Sequence, residues 1–129
     1  MTWFLDGDGQ FPATVTLNLD VTTNVDGYDI TEINSIAGWE GGVQAHQVMT
    51  VEYSVAGDAG FTSLGTFINT NAVATEYSRI SLTDTTGYLA KGVDALKFTY
   101  ADPADTDRMV LQEIDVIGTA RMGTLIRIR

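Results

Sequence analysis

The chain lacks cysteine and contains a single histidine, His46, among its 129 residues. The absence of cysteine excludes disulfide bonds, thiolate catalysis and thiolate metal sites. No apolar run approaches the roughly 20 residues that a membrane-spanning helix needs. The residues after Met1 show neither the basic nor the apolar region of a signal peptide. An extracellular location stays open, because a domain of this length needs no disulfide.

Basic residues are also scarce: 7 Lys and Arg stand against 17 Asp and Glu, for a net charge of -10. Phosphate and anionic headgroups would be repelled, which predicts no nucleic-acid partner and no membrane insertion. Three of the seven basic residues, Arg121, Arg127 and Arg129, lie in the last nine positions. This segment is either a solvated edge strand, protected from unwanted pairing by its charge, or a segment that binds an acidic neighbour.

Motifs of the common catalytic classes are missing as well. The sequence has no Gly-x-Ser-x-Gly elbow, no phosphate-binding Gly-Lys-Ser/Thr and no His-Glu-x-x-His. Serines and aspartates are so numerous that a triad assembled around His46 has no value as evidence. We therefore predict that the protein is not an enzyme.

The chain does contain repeated alternation of apolar and polar residues with a period of two. Val15, Leu17 and Leu19 alternate with polar residues, and so do Leu96, Phe98 and Tyr100. Period two places one set of side chains on a buried face and the other in water. The pattern predicts one all-β domain, an antiparallel β-sandwich of about eight strands. The predicted strands cover residues 12–21, 28–36 (with a bulge), 47–55, 61–68, 77–82, 92–100, 109–117 and 124–129.

The order of these segments resembles the galactose-binding-like β-jelly-roll of discoidin-type domains and many bacterial carbohydrate-binding modules, in its secreted bacterial variant. The resemblance covers residues 2–119 and implies a jelly-roll domain at 1–119, followed by an extra strand or tail at 120–129. It is carried by VTLNLD at 15–20, YDITEINSIAGW at 28–39, QVMTVEYSVAGDAGFTSLGTF at 47–67, GVDALKFTY at 92–100 and LQEIDVIG at 111–118.

Two features depart from the family pattern. The family usually has a strand and a turn before the Thr-Trp that matches Thr2 and Trp3, so an opening strand is expected to be missing or supplied otherwise. Residues 120–129 are additional. A sheet short of one strand with a spare one elsewhere suits strand exchange between copies. Alternatively, the tail folds back into the gap in its own chain, which involves less entropy loss and is the default expectation.

Sugar binding needs an aromatic face that stacks on a pyranose and polar groups that fix its hydroxyls. Aromatic and polar residues lie close together in the Gly-rich segment after the predicted strand 28–36. The guanidinium group of an arginine can donate two hydrogen bonds to vicinal hydroxyls or to a carboxylate. The loop is EGGVQAH here, where the resembling modules carry an Arg or Asn-rich stretch. The predicted ligand-binding residues are Trp39, Glu40, Gln44, His46, Arg79 and Arg108. In the alternative interpretation, Trp39 fills space in the hydrophobic core and His46 is a polar residue of the loop without a ligand.

Calcium is the ion that the sequence could hold. Asp6 and Asp8 in the DGDG segment, with Asp102, Asp105 and Asp107, supply hard oxygen ligands, and structural calcium is frequent in the resembling fold. The alternative is a pair of solvated turns.

These observations together predict a non-catalytic extracellular or cell-surface module that binds carbohydrate or mediates adhesion, with a glycan or cell-surface polysaccharide as partner. The alternative is a structural subunit of an extracellular filament or surface layer, assembled by strand exchange through residues 120–129. A module of a larger secreted enzyme is a third interpretation.

Overall fold

The computed structural model describes residues 3–6, 10–38, 44–70, 77–103 and 108–121, with residues 3–6 described as backbone only. The alternating segments form eight strands and the described residues contain no helix. In chain order the strands are β1 (Trp3–Asp6), β2 (Ala13–Asn18), β3 (Tyr28–Gly38), β4 (Gln47–Val55), β5 (Thr62–Asn69), β6 (Tyr77–Thr83), β7 (Ala90–Tyr100) and β8 (Arg108–Ala120).

All strand pairs are antiparallel, and the sheet curls into two layers, as the alternation predicts. One layer has the order β1-β8-β3-β6 and the other β2-β7-β4-β5. The beginnings of β3 and β7 pair at Tyr28↔Val93 and Ile30↔Ala90 and so join the layers at one corner. At the opposite margin, the Asn69 side chain of β5 donates to the backbone oxygen of Arg79 on β6 at 3.2 Å. The fold is an all-β antiparallel sandwich.

The core lies between the two layers and consists of the inward-facing set of each strand. Met49 and Val51 of β4 are fully buried, as are Leu96, Phe98 and Tyr100 of β7. Their neighbours Thr50, Glu52, Lys97 and Thr99 remain partly exposed on the other face. The period of two therefore separates core from surface in both central strands, because successive side chains of a strand point to opposite faces.

The expected irregularity in β3 is present. The register against β8 shifts between Ile30 and Glu32 and again between Ile36 and Ala37. The predicted end of the 109–117 strand is wrong, since β8 continues past Gly118 to Ala120. Gly118 pairs with Ile30, and a Cβ at this glycine would lie 2.4 Å from the backbone oxygen of Asp29. The absence of a side chain at Gly118 thus allows the backbone of β3 to approach β8 closely at this point of the strand.

The first strand, β1, was not predicted as a strand, and it pairs with residues 108–111 of β8. The predicted strand at 124–129 lies outside the described residues. No helix in the described part of the chain is long and apolar enough to cross a membrane.

Candidate functional site

The predicted ligand-binding loop joins β3 to β4, and its residues 39–43 lie outside the described residues, so Trp39 and Glu40 are not placed. Both flanks of the loop contact the first half of β8. The Gln112 side-chain Nε2 donates to the backbone oxygen of Gly38 at 2.7 Å, and the Val110 backbone N–H donates to that of Gln44 at 2.9 Å. The loop therefore starts and ends beside the same strand.

Three of the predicted residues flank this end of the sandwich. Arg108 is exposed at the start of β8 and pairs in register with Asp6 of β1. His46 lies in the loop just before β4 but is only 6 % exposed, so little of its side chain is accessible to a ligand. The Oε1 atom of Gln44 is a buried acceptor without a hydrogen-bond partner in the described structure. Such an acceptor is unusual in proteins and would be satisfied by a ligand hydroxyl or a water.

Arg79, the fourth described candidate, lies apart from these three on the outer face of β6. Its Nε donates to Asn34 Oδ1 at 3.2 Å, and the Ser81 hydroxyl donates to the same oxygen at 2.6 Å. Asn34 in turn donates to Glu32 at 3.0 Å. The guanidinium is thereby held in a polar network across the β3–β6 pair.

A buried polar network occupies the interior next to the loop flanks. Gln47 and Ser35 are fully buried, and the Ser35 hydroxyl donates to Gln47 Oε1 at 2.6 Å and accepts from the Tyr100 hydroxyl at 2.8 Å. Gln47 Nε2 donates to the Ser78 hydroxyl at 2.8 Å, which donates to the backbone oxygen of Ala45. The network thus connects β3, β4, β6 and β7 and fixes the start of β4 beside the loop.

Burial raises the pKa of the Tyr100 hydroxyl from 10.0 to about 12, although its hydrogen bond to Ser35 acts in the opposite direction. The unfolded chain loses this proton near pH 10, whereas the folded chain keeps it to about pH 12. Folding stability must therefore fall as the pH rises through this window, by about 3 kcal/mol. Urea unfolding across the window would measure the fall. It should be absent in Tyr100→Phe, and an equal fall in this variant would contradict the assignment.

A cavity of about 230 Å³ lies at the margin where β5 and β6 bring the two layers together. Its lining combines aliphatic and aromatic side chains with two polar residues. The lining residues are Leu64, Phe67, Leu82, Thr83, Asp84 and Leu89. Pockets for drug-sized ligands occupy roughly 300–1,000 Å³, so this cavity suits a smaller ligand, such as a single sugar ring.

Asp84 is the charged group of the cavity lining; its side chain is exposed and is hydrogen-bonded within its own turn. Its Oδ1 accepts from the backbone N–H of Thr86 at 2.7 Å and from the Thr86 hydroxyl at 2.5 Å. The side-chain bond, and then the backbone bond, lower the pKa of this carboxyl below its usual 3.8. Asp84 is therefore ionised at neutral pH, and no described residue hydrogen-bonds its Oδ2, which can accept from a ligand hydroxyl.

The calcium prediction falls mostly outside the described structure, because Asp8, Asp105, Asp107 and the side chain of Asp6 are not described. Asp102 is exposed. Within the described ranges, no three His, Asp or Glu residues are arranged to hold a metal ion.

Sequence reasoning missed the cavity. Nothing in the sequence around Asp84 relates it to Leu64 and Phe67, which belong to a different layer. When the chain is compared with protein-family models, with curated proteins and with solved structures, no match is found.

Proposed function

We propose that the protein is a non-catalytic, extracellular carbohydrate-binding or adhesion module of the galactose-binding-like jelly-roll type. The observation that carries the proposal is the cavity between β5 and β6 with the ionised Asp84 in its lining. A pyranose presents apolar C–H faces together with hydroxyl groups. A site for it therefore needs an apolar wall and a few fixed acceptors, as in most small-ligand sites.

Each requirement has a counterpart in the lining. Phe67 supplies an aromatic ring, and Leu64 and Leu89 supply aliphatic surface. Thr83 contributes a hydroxyl that can both donate and accept, and Asp84 contributes a pre-oriented carboxylate. A carboxylate that is already fixed loses little conformational entropy when it accepts a sugar hydroxyl.

The test begins with a glycan array probed with the whole chain, followed by calorimetry on the sugars that bind. Asp84→Asn should weaken binding about tenfold, because a hydrogen bond to a charged acceptor contributes more than one to a neutral amide. Asp58→Asn is the matched control, since Asp58 is an exposed aspartate in another turn and is absent from the cavity lining. We expect this control to bind like the unmodified chain.

Trp39→Ala tests the competing location in the same assay. Loss of binding in this variant, with Asp84→Asn unaffected, would move the site to the β3–β4 loop, where Gln44 Oε1 lacks a partner. An array without any bound glycan would reject carbohydrate binding altogether.

The structural-subunit alternative is favoured by a different observation, the incompletely paired edge of β8. In the described structure, β1 pairs with this edge only at residues 108–111, although the strand continues to Ala120. An extracellular filament or surface layer could be built by pairing at this edge.

A further inference from the structure

The cavity between β5 and β6 sets one charged side chain, Asp84, against a neutral lining of four apolar residues and a threonine. The carboxylate is hydrogen-bonded within its own turn, where Oδ1 accepts from the backbone N–H and from the hydroxyl of Thr86. No described residue donates to Oδ2, which leaves that oxygen available to a ligand. The charge class of the ligand can therefore be argued from this single group.

No described cation forms an ion pair with Asp84. Of the two cations nearest to it along the chain, Arg79 donates to Asn34, and Lys91 lies over the Tyr88 ring with its Nζ 4.7 Å from the ring centroid. The ion pairs between described residues involve other acids on other strands. The carboxylate thus presents a negative charge that the described side chains do not compensate.

The surroundings of the cavity add further negative charge. Glu32 lies directly opposite the lining residue Thr83 in the β3–β6 pairing, and the whole chain carries a net charge of -10. A cleft of one sign raises the local concentration of ligands of the opposite sign and repels ligands of its own sign. A sugar acid would therefore be repelled by the carboxylate, whereas a cationic sugar would be attracted.

The aromatic ring of Phe67 is a second group in the lining that suits a cation. This ring lies close to Gly65 on the same strand, since a Cβ at the glycine would be 3.3 Å from Phe67 Cζ. Aromatic rings attract ammonium groups, and a carboxylate pairs with them directly. The apolar lining can then hold the carbon skeleton of a small ligand while Asp84 binds its positive charge.

We propose that this cavity selects sugars that carry an ammonium group over neutral sugars, and neutral sugars over acidic ones. The inference rests on the proposed sugar-binding function and names the ligand class of that same site. Asp84 is the residue that determines this specificity, because its carboxylate pairs with the ammonium group. The side chain is exposed, so water and salt screen the pair and keep the preference moderate.

Calorimetric titration of the whole chain with six monosaccharides tests the proposal. The probes are glucosamine, glucose and glucuronate, together with galactosamine, galactose and galacturonate. At a pH that keeps the amino sugars protonated, the amino form of the ring that fits should bind about two- to fivefold more tightly than the neutral form, as expected for an exposed ion pair. The acidic form should bind most weakly. Molar salt should remove most of the preference, because it screens the pair.

Asp84→Asn should lose the preference between the amino and the neutral form. The amide oxygen of asparagine can still accept from Thr86 and from a sugar hydroxyl, but it no longer attracts the ammonium group. Asp58→Asn changes the net charge by the same amount in another exposed turn and should keep the preference. Circular dichroism verifies that both variants retain the β-sheet. A preference that persists in Asp84→Asn would overturn the assignment to this residue.

The outcomes separate this inference from the function on which it rests. Equal binding of the amino and neutral forms, with both weakened in Asp84→Asn, would overturn the charge selectivity but leave sugar binding in the cavity standing. Tighter binding of the acidic form would also overturn the selectivity. If none of the six sugars binds, the inference is overturned, and the glycan array then decides whether sugar binding itself stands.

Discussion

Replacement of Gln47 by leucine should lower the free energy of unfolding by about 3–5 kcal/mol. Gln47 is fully buried and accepts from the Ser35 hydroxyl while donating to Ser78. Leucine fills much of the same space but leaves the Ser35 hydroxyl and the polar atoms around Ser78 without these partners. Each buried polar group that loses its partner costs about 1–3 kcal/mol. Chemical denaturation of both proteins measures the difference.

The effect of unsatisfied polar groups on the free energy of unfolding can be separated from the effect of the changed side-chain volume. If unsatisfied groups cause it, Gln47→Leu combined with Ser35→Ala and Tyr100→Phe should be more stable than Gln47→Leu alone, because three polar groups are then removed together. Gln112→Leu is a control at a half-buried position, where about 1 kcal/mol is expected. A triple variant less stable than the single one would contradict the account of the network.

Replacement of Gly27 by alanine should cost about 3–4 kcal/mol, because it affects the corner where β3 and β7 join the layers. Gly27 has φ +76°, and a Cβ there would lie 2.6 Å from backbone atoms of Gly92 and 2.7 Å from the oxygen of Val93. The left-handed conformation costs an alanine about 1–2 kcal/mol, and overpacking against fixed backbone adds about 1–3 kcal/mol. Thermal unfolding of the variant would show the loss as a lower midpoint.

Gly57 is the matched control for this prediction. It has φ +86°, but nothing lies within 4 Å of the position of its Cβ. Gly57→Ala should therefore cost only the conformational part, about 1–2 kcal/mol. Equal losses of stability in the two variants would mean that the close approach of Gly27 to Gly92 contributes nothing. That result would contradict the importance of close backbone packing at the corner where β3 and β7 join the layers.

The strands could be predicted from the local sequence pattern wherever one face of the strand is exposed to solvent and the other is buried. β4 and β7 were located because Met49 and Val51, or Leu96 and Phe98, alternate with polar residues. β1 was missed because its four residues are too few to show a period. The continuation of β8 past Gly118 was missed because the close approach to Asp29 is a contact between distant residues, and a glycine alone usually indicates a turn.

The candidate site was much less predictable, for a physical reason. The cavity combines Leu64 from β5, Leu82 from β6 and Leu89 from the residue just before β7, and it exists only because two sheet margins meet. Gln47 shares the inward alternation of Met49 and Val51, but its partner Ser78 is 31 residues away. Sequence reasoning could name residue types suited to sugar binding but could not place them in one surface.

The most direct test of the proposed sugar-binding site follows the leucine methyl signals by NMR while a glycan selected on the array is added. The account predicts that Leu64, Leu82 and Leu89 shift most, with saturation at the calorimetric affinity, whereas Leu17 on β2, which is absent from the cavity lining, stays unchanged. Unshifted signals at all three cavity leucines in the presence of a bound glycan would contradict it.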